Sequence, residues 1–366
     1  MTPYITSLSI HGFRNLADVR NLTLKPINVL VGGNGTGKSS LLQFFEMLST
    51  VLRPDALNKY VIHHGGGNDQ CFMGGQATPM ITASVVVSTE AGDSEYSLKL
   101  RYAPDDDRLV TDETGWRMRP TQTPVDTALA EKILQRLNGR YGGFWQDCVV
   151  FHFCSSAAEA NVNKRWDIGD SARLRPDGGN LAPVLLSIKE NELPRYQAIV
   201  RQIQQVFPDF GDFVLKDEYC RVLLHWKHRF SDLAIGPYLT SDGTLRLFFL
   251  VTLLNLPEDR WPAVLMLDEP ELGLSPQAME LVAALICRVA HVRTVLVATQ
   301  SSEFVAALKP DDVIVASSVK GAARFGWVRM QSSHCLRTKD NAMSEVAPRA
   351  LGQSQGLLKS GDRESA

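Results

Sequence analysis

Five short apolar runs, the first interrupted only by Asn28, are spaced along the chain: Ile27–Val31, Val149–Phe151, Val264–Leu267, Val295–Ala298 and Val313–Ala316. Runs this short, with β-branched residues and turn signals at their ends, predict strands buried on both faces of a parallel sheet. Helical periodicity fills some of the intervals. Pro276 to Ala290 places Met279, Val282, Leu285, Ile286 and Val289 on one face, with Pro276 near the helix start. Ser301–Leu308 predicts a shorter helix, opened by a serine cap and stopped ahead of Pro310. Elsewhere the pattern alternates. Tyr96, Leu98, Leu100 and Tyr102 are apolar while Ser97, Lys99 and Arg101 are polar, and Val222, Leu224 and Trp226 repeat the rhythm. Both segments predict half-exposed antiparallel strands. The expected class is α/β, a central parallel sheet with an antiparallel annex.

Residues 154–235 are less regular. A Gly/Pro/Asp-rich loop, RLRPDGGN (173–180), precedes helical candidates at Leu181–Lys189 and Leu193–Val206. No heptad run marks a long coiled-coil arm there. The expected division is 1–153 for the N-terminal part of the core, 154–235 for a mostly helical insert lobe, 236–335 for the C-terminal part of the core, and 336–366 for a segment ending in a polar tail.

Composition narrows the class. The 366 residues are 44% hydrophobic and 21% charged, with a formal net charge of −2. That is ordinary globular composition with no global basic excess for nucleic acid. Arg165, Arg173, Arg175, Arg195 and Arg201 could still form a local strip for DNA, and a solvated surface is the commoner explanation. The six cysteines show no C-x-x-C pair and no histidine at metal-ligand spacing, which suits reduced thiols. MTPYITSLSI lacks a basic segment followed by an apolar one, and the apolar run Leu247–Leu254 is far too short to span a bilayer. A cytoplasmic protein with no membrane partner is expected.

The chemistry concentrates after the first apolar run. GGNGTGKS, Gly32–Ser39, fits G-x-x-x-x-G-K-S. Such a loop needs glycine so that backbone N–H groups can approach phosphate oxygens, and the helix that follows adds its positive end. Gly32, Asn34, Gly35, Thr36, Gly37, Lys38, Ser39 and Ser40 are therefore candidate nucleotide contacts, with Lys38 reaching the β/γ-phosphates and Ser39 offering a hydroxyl to Mg²⁺. A partner motif appears in VLMLDEPELGLSP (264–276): Asp268 follows four apolar residues and can hold the metal shell, and Glu269 can orient or deprotonate water.

Further segments carry a resemblance. LDEPELGLSP is similar to the Walker B motif and D-loop of ABC-class ATPases, TSDGTLRLFFLVTLL (240–254) resembles their signature segment, and ATQSSEF (298–304) sits where that class has its switch loop. ITSLSIHGFRNLADVRNLTL (5–24) resembles the first strands of SMC/RecF-like heads. FHFCSSA (151–157) and LRPDGGNL (174–181) match stretches of short standalone ATPases usually described only as AAA-type or SMC-like. The resemblance covers roughly residues 4–330. It implies a P-loop ABC-type ATPase head with a mixed parallel/antiparallel sheet and a helical insert lobe. It also implies ATP and Mg²⁺ as cofactors and a homodimer of heads in which Ser241 and Gly243 of one copy cap the γ-phosphate held by the other. A separately encoded nuclease or other effector would be the partner, in DNA maintenance or antiphage defence.

The chain also departs from that pattern. Thr240 replaces a leucine, Asp242 replaces a glycine and is assigned no nucleotide contact, and Gln300 stands in place of the switch histidine. Glutamine can hydrogen-bond a γ-phosphate or water but carries no charge, so hydrolysis is expected to be slow or partner-stimulated. Gln300 is accordingly a catalytic candidate beside Lys38 and Glu269. His152 occupies the Q-loop place and is either a metal or γ-phosphate sensor or a satisfied structural histidine. Arg14 in GFRN either pairs with nucleotide, as arginines there do in SMC-like heads, or is an exposed loop residue. The alternatives to an ATP-hydrolysing switch are a nucleotide-gated scaffold with little turnover and the ATP-binding subunit of a transporter.

Overall fold

The structure, a computed structural model, describes residues 3–51, 53, 55–119, 127–137, 144–152 and 161–328. Most of FHFCSSA, with Cys154, and the segment 336–366 with its polar tail lie outside these residues, as does Cys335. Contacts divide the chain into two compact units. The first takes Met1–Val150, Pro262–Met266 and Arg293–Ala366, and the second takes Phe151–Trp261 and Leu267–Val292.

The chain opens with β1 (Tyr4–Phe13), β2 (Leu16–Thr23) and β3 (Ile27–Val31), followed by helices α1 (Lys38–Val51), α2 (Ala56–His63) and α3 (Gly67–Gln70). Next come β4 (Met80–Thr89), β5 (Gly92–Ala103), β6 (Arg108–Met118), α4 (Thr127–Leu137) and β7 (Cys148–Phe151). The alternating segment is β5, where Tyr96, Leu98 and Leu100 are buried and Lys99 and Arg101 exposed. It belongs to an antiparallel sheet of order β2-β1-β4-β5-β6. Helix α1 buries Leu41, Leu42, Phe44, Phe45, Met47 and Leu48. Around Phe45 an aromatic core assembles: Trp145 stacks on Trp116 at 5.3 Å and meets the edge of Tyr96 at 5.1 Å. Such pairs add to the area term because ring edges and faces carry opposite partial charge.

Then follow β8 (Trp166–Asp167), α5 (Leu181–Asn191), α6 (Leu193–Val206), β9 (Phe210–Phe213), β10 (Arg221–Val222), β11 (Trp226–His228) and β12 (Ala234–Ile235). Helix α7 (Asp242–Leu254) precedes β13 (Val264–Asp268) and α8 (Pro276–Val289). The chain closes its described part with β14 (Thr294–Thr299), α9 (Ser302–Ala306), β15 (Val313–Val319) and β16 (Ala322–Trp327).

All five apolar runs enter one six-stranded sheet of order β16-β15-β3-β14-β13-β7. β3 is flanked by parallel partners, with Val295–Thr299 beside Ile27–Val31 and Val313–Val315 beside Val29–Val31. Its five residues are all buried, as a strand covered on both faces requires. The Val222–Trp226 alternation does not make one strand. Val222 pairs with Trp166 of β8, whereas Trp226 pairs with Phe213 of β9 and Ile235 of β12. Burial still alternates through the break, so the periodicity reports the faces correctly while the pairing partner changes.

In the second unit α7 buries Leu245 and every residue from Leu247 to Leu254. Phe248 is its centre, packed on Phe210 at 5.1 Å and Phe213 at 5.0 Å. Among the described residues no helix is long and apolar enough to cross a membrane.

Candidate functional site

Six residues, Gly32 to Gly37, separate the last residue of β3 from the first of α1. Gly35 and Gly37 have φ of 73° and 102°, the left-handed region that favours glycine. A Cβ on Gly37 would lie 2.5 Å from that of Ala323, whereas one on Gly33 or Gly35 would meet nothing within 4 Å. Protein packing therefore does not demand glycine at 33; the loop's outer side is an open cradle. Lys38 Nζ donates to the carbonyls of Gly32 at 2.7 Å and Gly33 at 2.9 Å, and Thr36 Oγ1 donates to Gly33 O at 2.8 Å. Asn15 Nδ2 donates to Gly35 O at 3.0 Å from the β1–β2 turn. Asn34 and Ser39 are exposed and Ser40 is half-buried, at the first turn of α1 where backbone N–H groups point outward. The arrangement suits a polyanion, and the Ser39 hydroxyl is a hard oxygen donor of the kind Mg²⁺ takes.

Arg14 shares that turn. Its φ is 47°, its backbone N–H donates to Gln70 O at 2.8 Å, and its Nε donates to Gln70 Oε1 at 3.0 Å. Nη1 donates to Gln43 Oε1. The guanidinium is thus held by two neutral amides, one fully buried on α3 and one on α1. Neither glutamine was singled out by sequence reasoning, although Gln43, four residues after Ser39, is on the same helix face. Gln300, also in the first unit, follows β14 directly and is exposed. The residue after it, Ser301, caps α9 by accepting the Phe304 N–H at 3.1 Å.

The second unit holds the carboxylates. Asp268 ends β13, half-buried, and its Oδ2 lies 3.5 Å from His152 Nδ1. His152 is fixed by its backbone N–H to Pro176 O at 3.1 Å, within the RLRPDGGN loop. The structure therefore gives the Q-loop position a contact with the candidate metal carboxylate. Glu269 has φ of 45°, in the left-handed region that residues with a Cβ rarely adopt. Its carbonyl accepts from Leu272 N at 3.3 Å and from Arg246 Nη1 at 3.3 Å, and the same nitrogen donates to Leu272 O at 2.8 Å.

Arg246 belongs to the first turns of α7, whose N-cap is Ser241. The Ser241 hydroxyl accepts the Thr244 N–H at 3.2 Å. Gly243 is required by a neighbour: a Cβ there would lie 2.0 Å from the Gly273 carbonyl. Thr240, unexpected at the signature, accepts the Trp226 indole N–H at 2.9 Å and donates to Gly236 O at 2.9 Å. Asp242 is exposed at the helix start, where a negative charge suits the dipole. The second unit thus brings Ser241, Gly243, Asp268 and Glu269 onto neighbouring segments, and the first gathers Arg14 with Gly32–Ser40. His63 and His64 bond the Lys59 and Tyr60 carbonyls through Nδ1, and His64 stacks on Tyr60, which is a structural use. Among the described residues no group of three or more His, Cys, Asp or Glu could hold a metal by itself.

Two family models match the chain. One, described as "AAA domain, putative AbiEii toxin, Type IV TA system", matches residues 164–306, and one described as "AAA ATPase domain" matches residues 4–109. Among solved structures, an Smc head bound to the C-terminal winged-helix domain of ScpA is similar over 90% of this chain and 99% of its own, with a TM-score of 0.58 and 16% identity. An Smc head with an extended coiled coil, bound to the C-terminal domain of ScpA derived from Pyrococcus furiosus, covers 88% of this chain and 96% of its own, with a TM-score of 0.55 and 15% identity. No curated protein sequence matches. Two AAA ATPase-type models thus match separate stretches of the chain, one of them carrying the P-loop on β3–α1, and the fold is similar to that of Smc heads.

Proposed function

We propose that this protein is an ATP-driven switch. The glycine loop with Lys38 holds the triphosphate, Ser39 and Asp268 serve Mg²⁺, and Glu269 takes a proton from the attacking water as its oxygen bonds to the γ-phosphorus and the bond to the β-phosphate oxygen breaks. The products are ADP and phosphate. Bound Mg²⁺ would neutralise charge on the phosphate oxygens. Lys38 draws charge toward its ammonium in the transition state, and Gln300 offers an amide to the γ-phosphate or water. The capped end of α7, Ser241 with Gly243, is assigned to the triphosphate of a second copy, so that two heads close around two nucleotides.

The observation that carries this proposal is the cradle: a P-loop whose glycines at 33 and 35 face open space, directly ahead of a helix start with an exposed Ser39. The resemblance set out above supports a separately encoded effector and a role in DNA maintenance or antiphage defence. Turnover by wild type and Glu269→Gln is the test. Glu269→Gln should lower ATP hydrolysis by about 10²-fold or more, the usual worth of a general base, with ATP affinity kept. Equal, near-zero rates with ATP still bound would favour a nucleotide-gated scaffold instead, the reading that Gln300 at the switch position supports.

A further inference from the structure

Glu269 occupies backbone space that glutamate rarely enters. At a φ of 45° the Cβ crowds the backbone, and such a conformation persists only where its surroundings hold it. Three restraints surround it. The Leu272 N–H closes a tight turn onto the Glu269 carbonyl at 3.3 Å. Arg246 Nη1 reaches that same carbonyl at 3.3 Å and the Leu272 carbonyl at 2.8 Å. Gly243, three residues before Arg246, abuts Gly273 so closely that a methyl group would overlap the carbonyl oxygen. The turn bearing Glu269 is therefore gripped from one side by the first turns of α7, the helix whose cap is Ser241.

A guanidinium suits that grip. It is planar, always charged, and presents several N–H groups in fixed directions, so one nitrogen can serve two carbonyls while the charge strengthens both bonds. An ammonium on a flexible stem keeps the charge and can reach a carbonyl but lacks the fixed fork, so it can replace the grip only in part. The carbonyls belong to the residue with the unusual φ and to the residue three positions later, the two ends of the turn. Securing both fixes the backbone from which the Glu269 side chain projects.

We propose that Arg246 is a positioning residue for Glu269: it locks the turn after Asp268 in the left-handed conformation and makes the aim of the Glu269 carboxylate depend on where the Ser241 end of α7 sits. This assignment rests on the ATPase function proposed above. It gives the signature segment a second task, independent of phosphate contact, and it names a route within one unit by which the state of that segment reaches the water-activating group.

Arg246→Gln and Arg246→Lys, each compared with wild type in the full chain, test it. Hydrogen exchange without nucleotide comes first. In Arg246→Gln, the amides of Glu269, Glu271, Leu272 and Gly273 should exchange about tenfold faster, the effect of one lost charge-assisted hydrogen bond, while those of α5 and α6 keep their wild-type rates. With ATP–Mg²⁺, kcat should fall at least tenfold while ATP affinity stays within about twofold, because the lost group orients a catalytic residue and does not touch the nucleotide. Arg246→Lys should recover part of kcat. Unchanged exchange at 269–273, or ATP affinity falling in step with kcat, or kcat falling only as the folded fraction falls, would overturn the assignment while leaving the ATPase function standing. Absence of hydrolysis in wild type would instead remove that function, and the role of Arg246 with it.

Discussion

Glu95 shows how a single carboxylate in the antiparallel sheet couples this protein to pH. The Ser84 hydroxyl donates to Glu95 Oε1 at 2.5 Å, and Arg117 and Arg119 approach Oε2 at 3.2 and 3.3 Å. The Ser84 hydrogen bond, with help from the arginines and against the cost of burial, holds its pKa below the usual 4.5. A group lowered on folding contributes stability above its unfolded pKa and loses it as pH falls through the folded one. Wild type should therefore lose melting temperature below about pH 4.5, and Glu95→Gln, less stable at neutral pH, should lose less over that interval. Thermal denaturation from pH 7 to pH 3 checks both slopes. At this scale the P-loop and the Asp268–Glu269 pair were plain in the sequence, because each needs a fixed local order of residue types. Arg246, Gln43 and Gln70 were not, because each acts on a residue brought to it by the fold. Thr240 read as a departure from pattern until Trp226 was seen to donate to it.

Among the elements, α7 is the one that most joins packing to function. Its front end carries Ser241, Gly243 and Arg246, and its remainder is buried on all sides. Its far end is held too: Arg288 Nη2 donates to Leu254 O at 2.6 Å and Arg195 Nη1 to Asn255 O at 2.9 Å, cations placed where a helix end exposes carbonyls. Phe248→Ala should cost about 3–5 kcal/mol, since the aromatic cluster around Phe210, Phe213 and Trp226 has no other element to close the void. Urea denaturation gives the value. Helices α6 and α8 were legible in the sequence to within a residue because their apolar faces repeat over full turns. α9 is shorter than its pattern suggested, since Ser301 serves as cap and Ala307 as terminus. The strands β10 and β11 were not separable in advance, because alternation records which side is buried and says nothing of which neighbour is paired.

For the whole molecule, charge and copy number are the measurable quantities. Within the insert, Arg165 pairs with Glu218, Arg175 with Asp170 and Arg195 with Glu192, so at least these three of the arginines considered for a DNA strip have carboxylate partners. Arg175 also lies over the Trp166 ring at 4.6 Å. The proposed closure of two heads predicts that Glu269→Gln, with ATP–Mg²⁺, elutes in gel filtration at twice the mass of the 40.5 kDa chain and returns to single mass when nucleotide is removed. An unchanged elution volume with ATP bound would speak against closure. The sheet of apolar runs was readable from sequence because double-sided burial leaves a continuous apolar signature. The division into units was not, since it depends on contacts between distant stretches.

That division interleaves. The glycine loop and Gln300 belong to one unit and Asp268 and Glu269 to the other, and the chain leaves the first unit after Val150, re-enters it for Pro262–Met266, and departs again before returning at Arg293. No single cut of the polypeptide can therefore separate one unit from the other. Ribosomal synthesis has the same consequence: the strand beside the P-loop strand, Thr294–Thr299, emerges only after both carboxylates have been made. The sheet that carries the P-loop is thus a late product of translation, its last strand, Ala322–Trp327, completed only when about nine tenths of the chain exists.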